Sequence, residues 1–131
     1  FFNEINQLSV NSSGVNCSIF LPNDQLLVGG KDAHLYLYNW RTEKRIKAVP
    51  AHNYAIYDLA LIGEDQNYLV SVSFDKTIKL WSFPLLDIVQ RIEFKDQGHR
   101  HTVNRIVVLN QRRIATVSDD AKIKIWELAE Q

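Results

Sequence analysis

The stretch that decides the fold runs from Leu69 to Trp81, LVSVSFDKTIKLW. An apolar run bounded by small polar residues precedes Asp75, and alternation follows it, with Lys79 between Ile78 and Leu80. Alternation sends successive side chains to opposite faces, so the segment reads as strand, tight turn, strand. Two further segments align with it without a gap: LLVGGKDAHLYLY from Leu26 to Tyr38 and IATVSDDAKIKIW from Ile114 to Trp126. Their equivalent aspartates, Asp32, Asp75 and Asp120, are 43 and 45 residues apart, a period at which four-stranded units repeat.

Working outward, each unit begins with another β-rich stretch, opened by Val15, Ile56 and Val103 (VNCSIF, IYDLAL, VNRIVVL). Residues 45–49 (RIKAV) and 87–94 (DIVQRIEF) supply a fourth strand to the first two units. The third unit has none before Gln131, and Ile5–Val10 is a candidate to complete it from the other end of the chain. The expected organisation is therefore 1–14, an N-terminal strand and connection; 15–50, a first unit; 51–97, a second; and 98–131, a third without its outer strand. No long window carries helical periodicity, and Pro22, Pro50 and Pro84 fall between strands.

The bulk composition excludes several function classes. With 131 residues, 15 Lys plus Arg and 15 Asp plus Glu, there is no global positive field to gather nucleic acid or an anionic membrane. No apolar run approaches bilayer length, and Phe1-Phe2-Asn3-Glu4 lacks the basic and apolar regions of a signal peptide. The single cysteine, Cys17, cannot close an intramolecular disulfide, which is compatible with a reducing compartment. The expected location is intracellular, cytoplasmic or nuclear. The chain has no methionine, so Phe1 is not an initiator, and a processed chain or a piece of a longer one is expected.

At the level of individual residues the units resemble WD40 repeats. The third matches the family pattern with Gly98-His99, Thr116, Asp120 and Trp126; the second matches with His52, Ser71, Asp75 and Trp81, Ala51 standing in the glycine position. The first keeps Asp32 but has Asn11, Val28 and Tyr38 where the pattern has His, Ser/Thr and Trp. The resemblance implies an all-β fold: a WD40-type β-propeller segment of about three four-stranded blades, unable to close alone. It also implies that within each blade aspartate, histidine, hydroxyl and indole satisfy one another as a structural network, avoiding about 1–3 kcal/mol for each orphaned group.

Sharper chemical readings are weaker. His52, Ser71 and Asp75 have the residue types of a hydrolase triad, but the recurrence of the set as His99, Thr116 and Asp120 favours scaffold over two active sites, and no GxSxG elbow accompanies it. His99 and His101 with Asp119 or Asp120 lack a third fixed metal ligand. The basic clusters at Arg41, Lys44, Arg45 and Lys47, and at Arg112 and Arg113, read as solvated positions, and Gly29-Gly30 lacks the Lys-Ser/Thr and helix of a phosphate loop. No catalysis, metal or cofactor is expected.

What the resemblance implies instead is a rigid platform for a protein or peptide partner. The residue before each turn aspartate and the residue after each first strand's opening apolar position would share a rim: Lys31, Phe74 and Asp119 with Asn16, Tyr57 and Asn104. Tyr57 and Phe74 are large aromatics of the kind enriched at interfaces. Because closed propellers begin at about four blades, further blades are expected from the same, longer chain or from a second copy. A regulatory propeller fused to a catalytic domain outside this sequence is a further alternative.

Overall fold

The computed structural model describes residues 1–129; positions 130 and 131, the last of the expected third unit, lie outside the described residues. Three antiparallel sheets follow one another along the chain. The first contains β1 (Val15–Leu21), β2 (Gln25–Gly30), β3 (His34–Asn39) and β4 (Lys44–Pro50). The second contains β5 (Ile56–Ile62), β6 (Tyr68–Ser73), β7 (Ile78–Ser82) and β8 (Ile88–Ile92), and the third β9 (Val103–Asn110), β10 (Arg113–Ser118) and β11 (Ile123–Glu127). In each sheet the order is sequential, and the only other regular element among the described residues is a single 3₁₀ turn at Phe94–Asp96. This is the all-β, three-unit architecture of an open propeller segment.

Alternation decides how the sheets stack. Leu69 pairs with Trp81 and Val70 with Leu80, so neighbouring residues of one strand serve different interfaces. Leu59, Leu69 and Trp81 of the second sheet pack against Leu27 and Leu35 of the first. Val70, Val72 and Ile78, on its opposite face, pack against Val103 and Ile114 of the third. Burying each large aliphatic contributes about 1.5–3 kcal/mol, so the two seams hold the stack together. The middle sheet is covered on both sides, whereas the outer two each keep one face without a neighbouring sheet.

Those two faces differ. On the third sheet Val107, Ile123 and Ile125 are 52%, 69% and 59% exposed. The positions equivalent to Ile123 in the other sheets, Leu35 and Ile78, are 0% and 3% exposed. On the first sheet Val28, Tyr36 and Tyr38 are covered by Leu8 and Val10. Here the sequence expectation is corrected: Ile5–Val10 forms no strand, and the first strand begins at Val15. Although the three-stranded third sheet leaves the edge of β11 open, the segment lays Leu8 and Val10 on the open face of the first sheet, and Asn6 Nδ2 donates to the carbonyl of Trp40 at 2.6 Å. The fourth strand expected over residues 87–94 is also shorter, because the chain leaves the ladder after Ile92 and turns at Phe94–Asp96.

One turn recurs three times. The N–H groups of Ala33, Lys76 and Ala121 each donate to the carbonyl three residues back, at 3.2 Å, with φ of 67°, 74° and 67°. The preceding aspartate fixes the turn by accepting the N–H two residues on, from His34, Thr77 and Lys122 at 3.2, 2.9 and 2.9 Å. Gly30 enters the first of these turns under tight constraint: a Cβ there would lie 2.1 Å from the carbonyl oxygen of Gly14.

Candidate functional site

Two constellations emerge from this framework, one buried and one at the rim. The buried one is continuous in the second sheet. Trp81 Nε1–H donates to Ser71 Oγ at 2.9 Å, Ser71 Oγ lies 2.7 Å from His52 Nε2, and His52 Nδ1 lies 2.9 Å from Asp75 Oδ2. Proton counting assigns the roles. Asp75 is a carboxylate and can only accept, so His52 Nδ1 carries the proton; in the neutral imidazole that burial favours, Nε2 is then the acceptor for the Ser71 hydroxyl, whose oxygen also receives the indole proton. Burial accordingly pushes the His52 pKa below its ordinary value, against the opposing pull of Asp75. Burial also acts to raise Asp75, but hydrogen bonds from His52, Thr77 and the Asn53 N–H outweigh it and hold that carboxyl well below the usual carboxylate range.

The third sheet repeats the arrangement with Trp126 Nε1–H to Thr116 Oγ1 at 2.9 Å, Thr116 Oγ1 to His99 Nε2 at 2.8 Å, and His99 Nδ1 to Asp120 Oδ2 at 2.9 Å. Asp120 titrates at about 2: burial works against the shift, while the N–H groups of Arg100 and Lys122 and the His99 ring stabilise its charge. The first sheet solves the same problem differently. Its Asp32 Oδ2 accepts from the Tyr36 hydroxyl at 2.5 Å, while Val28 sits in an apolar cluster with Tyr38. Asn11 Oδ1 accepts the N–H groups of Ser13 and Gly14, while Asn11 Nδ2 is buried without a partner among the described residues.

Chemically these sets are closed. Ser71 and Thr116 are both 0% exposed, so neither oxygen meets a substrate in the folded chain. Burial, helped by Asp58, pushes the Cys17 thiol up to about 12, which keeps it protonated and a poor nucleophile. Among the described residues no three His, Cys, Asp or Glu converge as a metal site, and no helix is long and apolar enough to cross a membrane.

The rim is built by β-bulges. The register of β1 with β2 passes over Asn16, that of β5 with β6 passes over Tyr57, and that of β9 with β10 passes over Asn104. A bulge leaves one residue unpaired and re-aims its side chain. The three residues therefore leave the ladders at the same level of each sheet, and all three line one cleft. That cleft, about 510 Å³, is lined by Asn16, Tyr57, Phe74, Asn104 and Asp119 together with Thr102 and Arg105. Lys31 is not part of it; its stem runs beside Gly14.

Hydrogen bonds tie the cleft across sheets. Asn16 Nδ2 donates to the Ile56 carbonyl at 3.0 Å, Asn104 Nδ2 to Asp119 Oδ1 at 2.8 Å, and Arg105 Nη1 to the carbonyls of Tyr57 and Asn104 at 3.2 and 2.9 Å. Phe74, 50% exposed, stands between two tyrosines, with its centroid 5.9 Å from that of Tyr54 and 6.5 Å from that of Tyr57. Sequence reasoning missed Tyr54, Thr102 and Arg105. Tyr54 lies two residues after His52, and its 60% exposure in a loop facing Phe74 depends on the β6–β7 turn, which no local pattern in Asn53-Tyr54-Ala55 reports.

With strand order, turn and buried relay in view, comparison with known proteins is direct. The model of the WD domain, G-beta repeat, matches residues 2–39, 43–82 and 90–127. The chain belongs to the WD40 family. It is similar to the WD repeat-containing protein 55 homolog of Drosophila persimilis, 28% identical over 97 residues covering 74% of this chain and 18% of that protein. It is 34% identical to human WD repeat-containing protein 3 over 71 residues, 53% of this chain and 7% of that protein. It is 29% identical to the nuclear distribution protein PAC1 of Candida dubliniensis over 113 residues, 82% of this chain and 22% of that one. This WD40 chain thus spans less than a quarter of the length of each of these relatives. Each of its three repeat matches begins 13 residues ahead of a first strand: 2 and 15, 43 and 56, 90 and 103.

Proposed function

We propose that this WD40 chain is a non-catalytic interaction module whose bulge-built rim contacts a protein or peptide partner, inside the cell in cytoplasm or nucleus. One observation carries the reading. Five residues from three sheets (Asn16, Tyr57, Phe74, Asn104 and Asp119) line a single cleft whose aromatic ridge remains half exposed. Rigid aromatic surface lost to water at little conformational cost is what interface anchors supply. The buried relays are its foundation: they fix the turns that present Phe74 and Asp119 and take no part in binding.

Panning a peptide library against the whole chain tests this. Selected peptides should lose binding to Phe74→Ala and retain it for Phe20→Ala, which alters an equally large exposed aromatic (74% exposed) at the opposite ends of the strands. Peptides indifferent to Phe74→Ala would remove the rim from the account.

A second reading concerns completion of the ring. The bare face formed by Val107, Ile123 and Ile125 has the position and chemistry of the faces that the first and second sheets bury against a neighbour. A further blade, from a longer polypeptide or from a second copy, would cover it. β4 begins 12 residues ahead of β5, and the same spacing ahead of β1 falls on residues 3–9, which supports their serving as the outer strand of a sheet once one is supplied. Release from the face of the first sheet would accompany that change.

A further inference from the structure

The cleft does not end at Asp119. That residue is shared with a second depression of about 520 Å³, lined on its polar side by Arg100, His101, Lys122 and Lys124 and on its apolar side by Phe94. Three details make this pocket cationic in a chain of zero net charge. First, three cationic side chains, Arg100, Lys122 and Lys124, face two carboxylates, Asp119 and Asp120, and among the described residues neither carboxylate forms an ion pair with any of the three: Asp120 is spanned by the Arg100 and Lys122 N–H groups and by His99, and Asp119 by Asn104. Second, the Arg100 guanidinium is held over the Phe94 ring, 4.8 Å from its centroid, and has no ion-pair partner among the described residues. Third, the second sheet turns its equivalent ammonium inward, with Lys79 Nζ donating to the Ala51 carbonyl at 2.5 Å, whereas among the described residues Lys124 has no such bond, and it lines the pocket.

Resting on the rim reading above, the geometry points to an acidic peptide as the partner: an apolar or aromatic side chain against Tyr57 and Phe74, and adjacent carboxylates over Arg100, Lys122 and Lys124. Aromatic rings beside cations are also the elements of a single-stranded nucleic-acid site. Asp119 discriminates between the two. A strand passing from the aromatic cleft to the cationic pocket crosses this carboxylate, where a phosphodiester would be repelled and a peptide presents a neutral backbone whose N–H groups can donate to Asp119 Oδ2.

The test uses the whole chain and defined probes. Fluorescent eight-residue Gly/Ser peptides carry one Phe and, one to four positions away on either side, a Glu-Glu pair; matched pools replace the pair by Gln-Gln or Lys-Lys, and decauridine is the nucleic-acid probe. In anisotropy titrations at low salt the Glu pools are expected to bind about tenfold tighter than the Gln pools. The surface double variant Arg100→Glu/Lys122→Glu should erase that margin and leave Gln-pool binding unchanged, with its circular dichroism spectrum intact. Glu pools no better than Gln or Lys pools, a margin that survives the double variant, or tighter binding of decauridine would each overturn the acidic-partner inference. Pools that bind with Phe74 dependence but no charge preference would leave the rim standing and defeat this inference alone; no binding by any pool would defeat both.

Discussion

Replacing Ser71 by Ala removes one oxygen from a site that is 0% exposed and leaves two polar groups stranded. Trp81 Nε1–H loses its 2.9 Å acceptor and His52 Nε2 loses its 2.7 Å donor. Water cannot replace either without opening the seam between the first and second sheets, so each carries its desolvation cost of about 1–3 kcal/mol, and the substitution should destabilise by about 2–4 kcal/mol. A chain of 131 residues has a total stability of about 7–20 kcal/mol, so the loss is a large fraction. It corresponds to a fall in Tm of roughly 10 °C at this size. The discriminating measurement is a double-mutant cycle with Trp81→Phe, followed in urea by far-UV circular dichroism because the fluorophore set changes. Once the indole N–H is gone, removing Ser71 no longer orphans it, so the double variant should be more stable than additivity predicts by about 1–2 kcal/mol. A Ser71→Ala effect below about 0.5 kcal/mol, or strict additivity, would mean that the relay contributes nothing as a network and that Ser71 is only a small residue fitted into a seam.

Acid should weaken the fold in two windows. His52 has its folded pKa pushed below the unfolded value of about 6.5, so the stability it contributes is complete above that pH and declines as the pH falls below it. Asp75 and Asp120 are likewise depressed, Asp120 to about 2, so their contribution is complete above about pH 3.8 and is lost as the pH falls from there through about 2. Urea midpoints measured from pH 8 to 2 should show both declines, and Asp120→Asn should flatten the lower one; a midpoint constant from pH 7 to 3 would contradict the assignment. Gly30→Ala forces a Cβ to within 2.1 Å of the Gly14 carbonyl oxygen, against backbone rather than a movable side chain, and should cost about 1–3 kcal/mol in thermal melts, whereas a neutral melt would show that the first turn is loose. Ile123→Lys/Ile125→Lys places charge on the bare face of the third sheet and should reduce any self-association in sedimentation velocity, with wild type running above its 15.2 kDa monomer mass and the variant at it; identical profiles would exclude that face from association.

The strand pattern was legible because it is local. Alternation around Asp75 and Asp120 fixes which residues share a face, and a small polar residue four positions before each aspartate is visible without any fold. The N-terminal segment was not. Ile5–Val10 alternates well enough to be a strand, but alternation does not say which surface the segment meets, and it packs on the face of the first sheet while the edge of β11 stays open. The first unit's departures, Asn11, Val28 and Tyr38, announce a missing relay; that the Tyr36 hydroxyl takes over Asp32 depends on how β3 pairs across β2. Tyr54, Thr102 and Arg105 escaped notice for a related reason: what brings them to the rim is proximity to Phe74, Asp119 and Tyr57, which lie 20, 17 and 48 residues away in sequence.

By itself the sequence determined the repeat, the alternation and hence the all-β stack, since period and face are properties of neighbouring residues along one strand. Only the tertiary structure decided where chemistry is available. Burial closed the His52, Ser71 and Asp75 side chains to substrate, three bulges turned Asn16, Tyr57 and Asn104 into one cleft, and folding set three cations, Arg100, Lys122 and Lys124, around only two carboxylates. Exposure and pairing are sums over groups that the chain brings together from distant positions, so no local pattern encodes them.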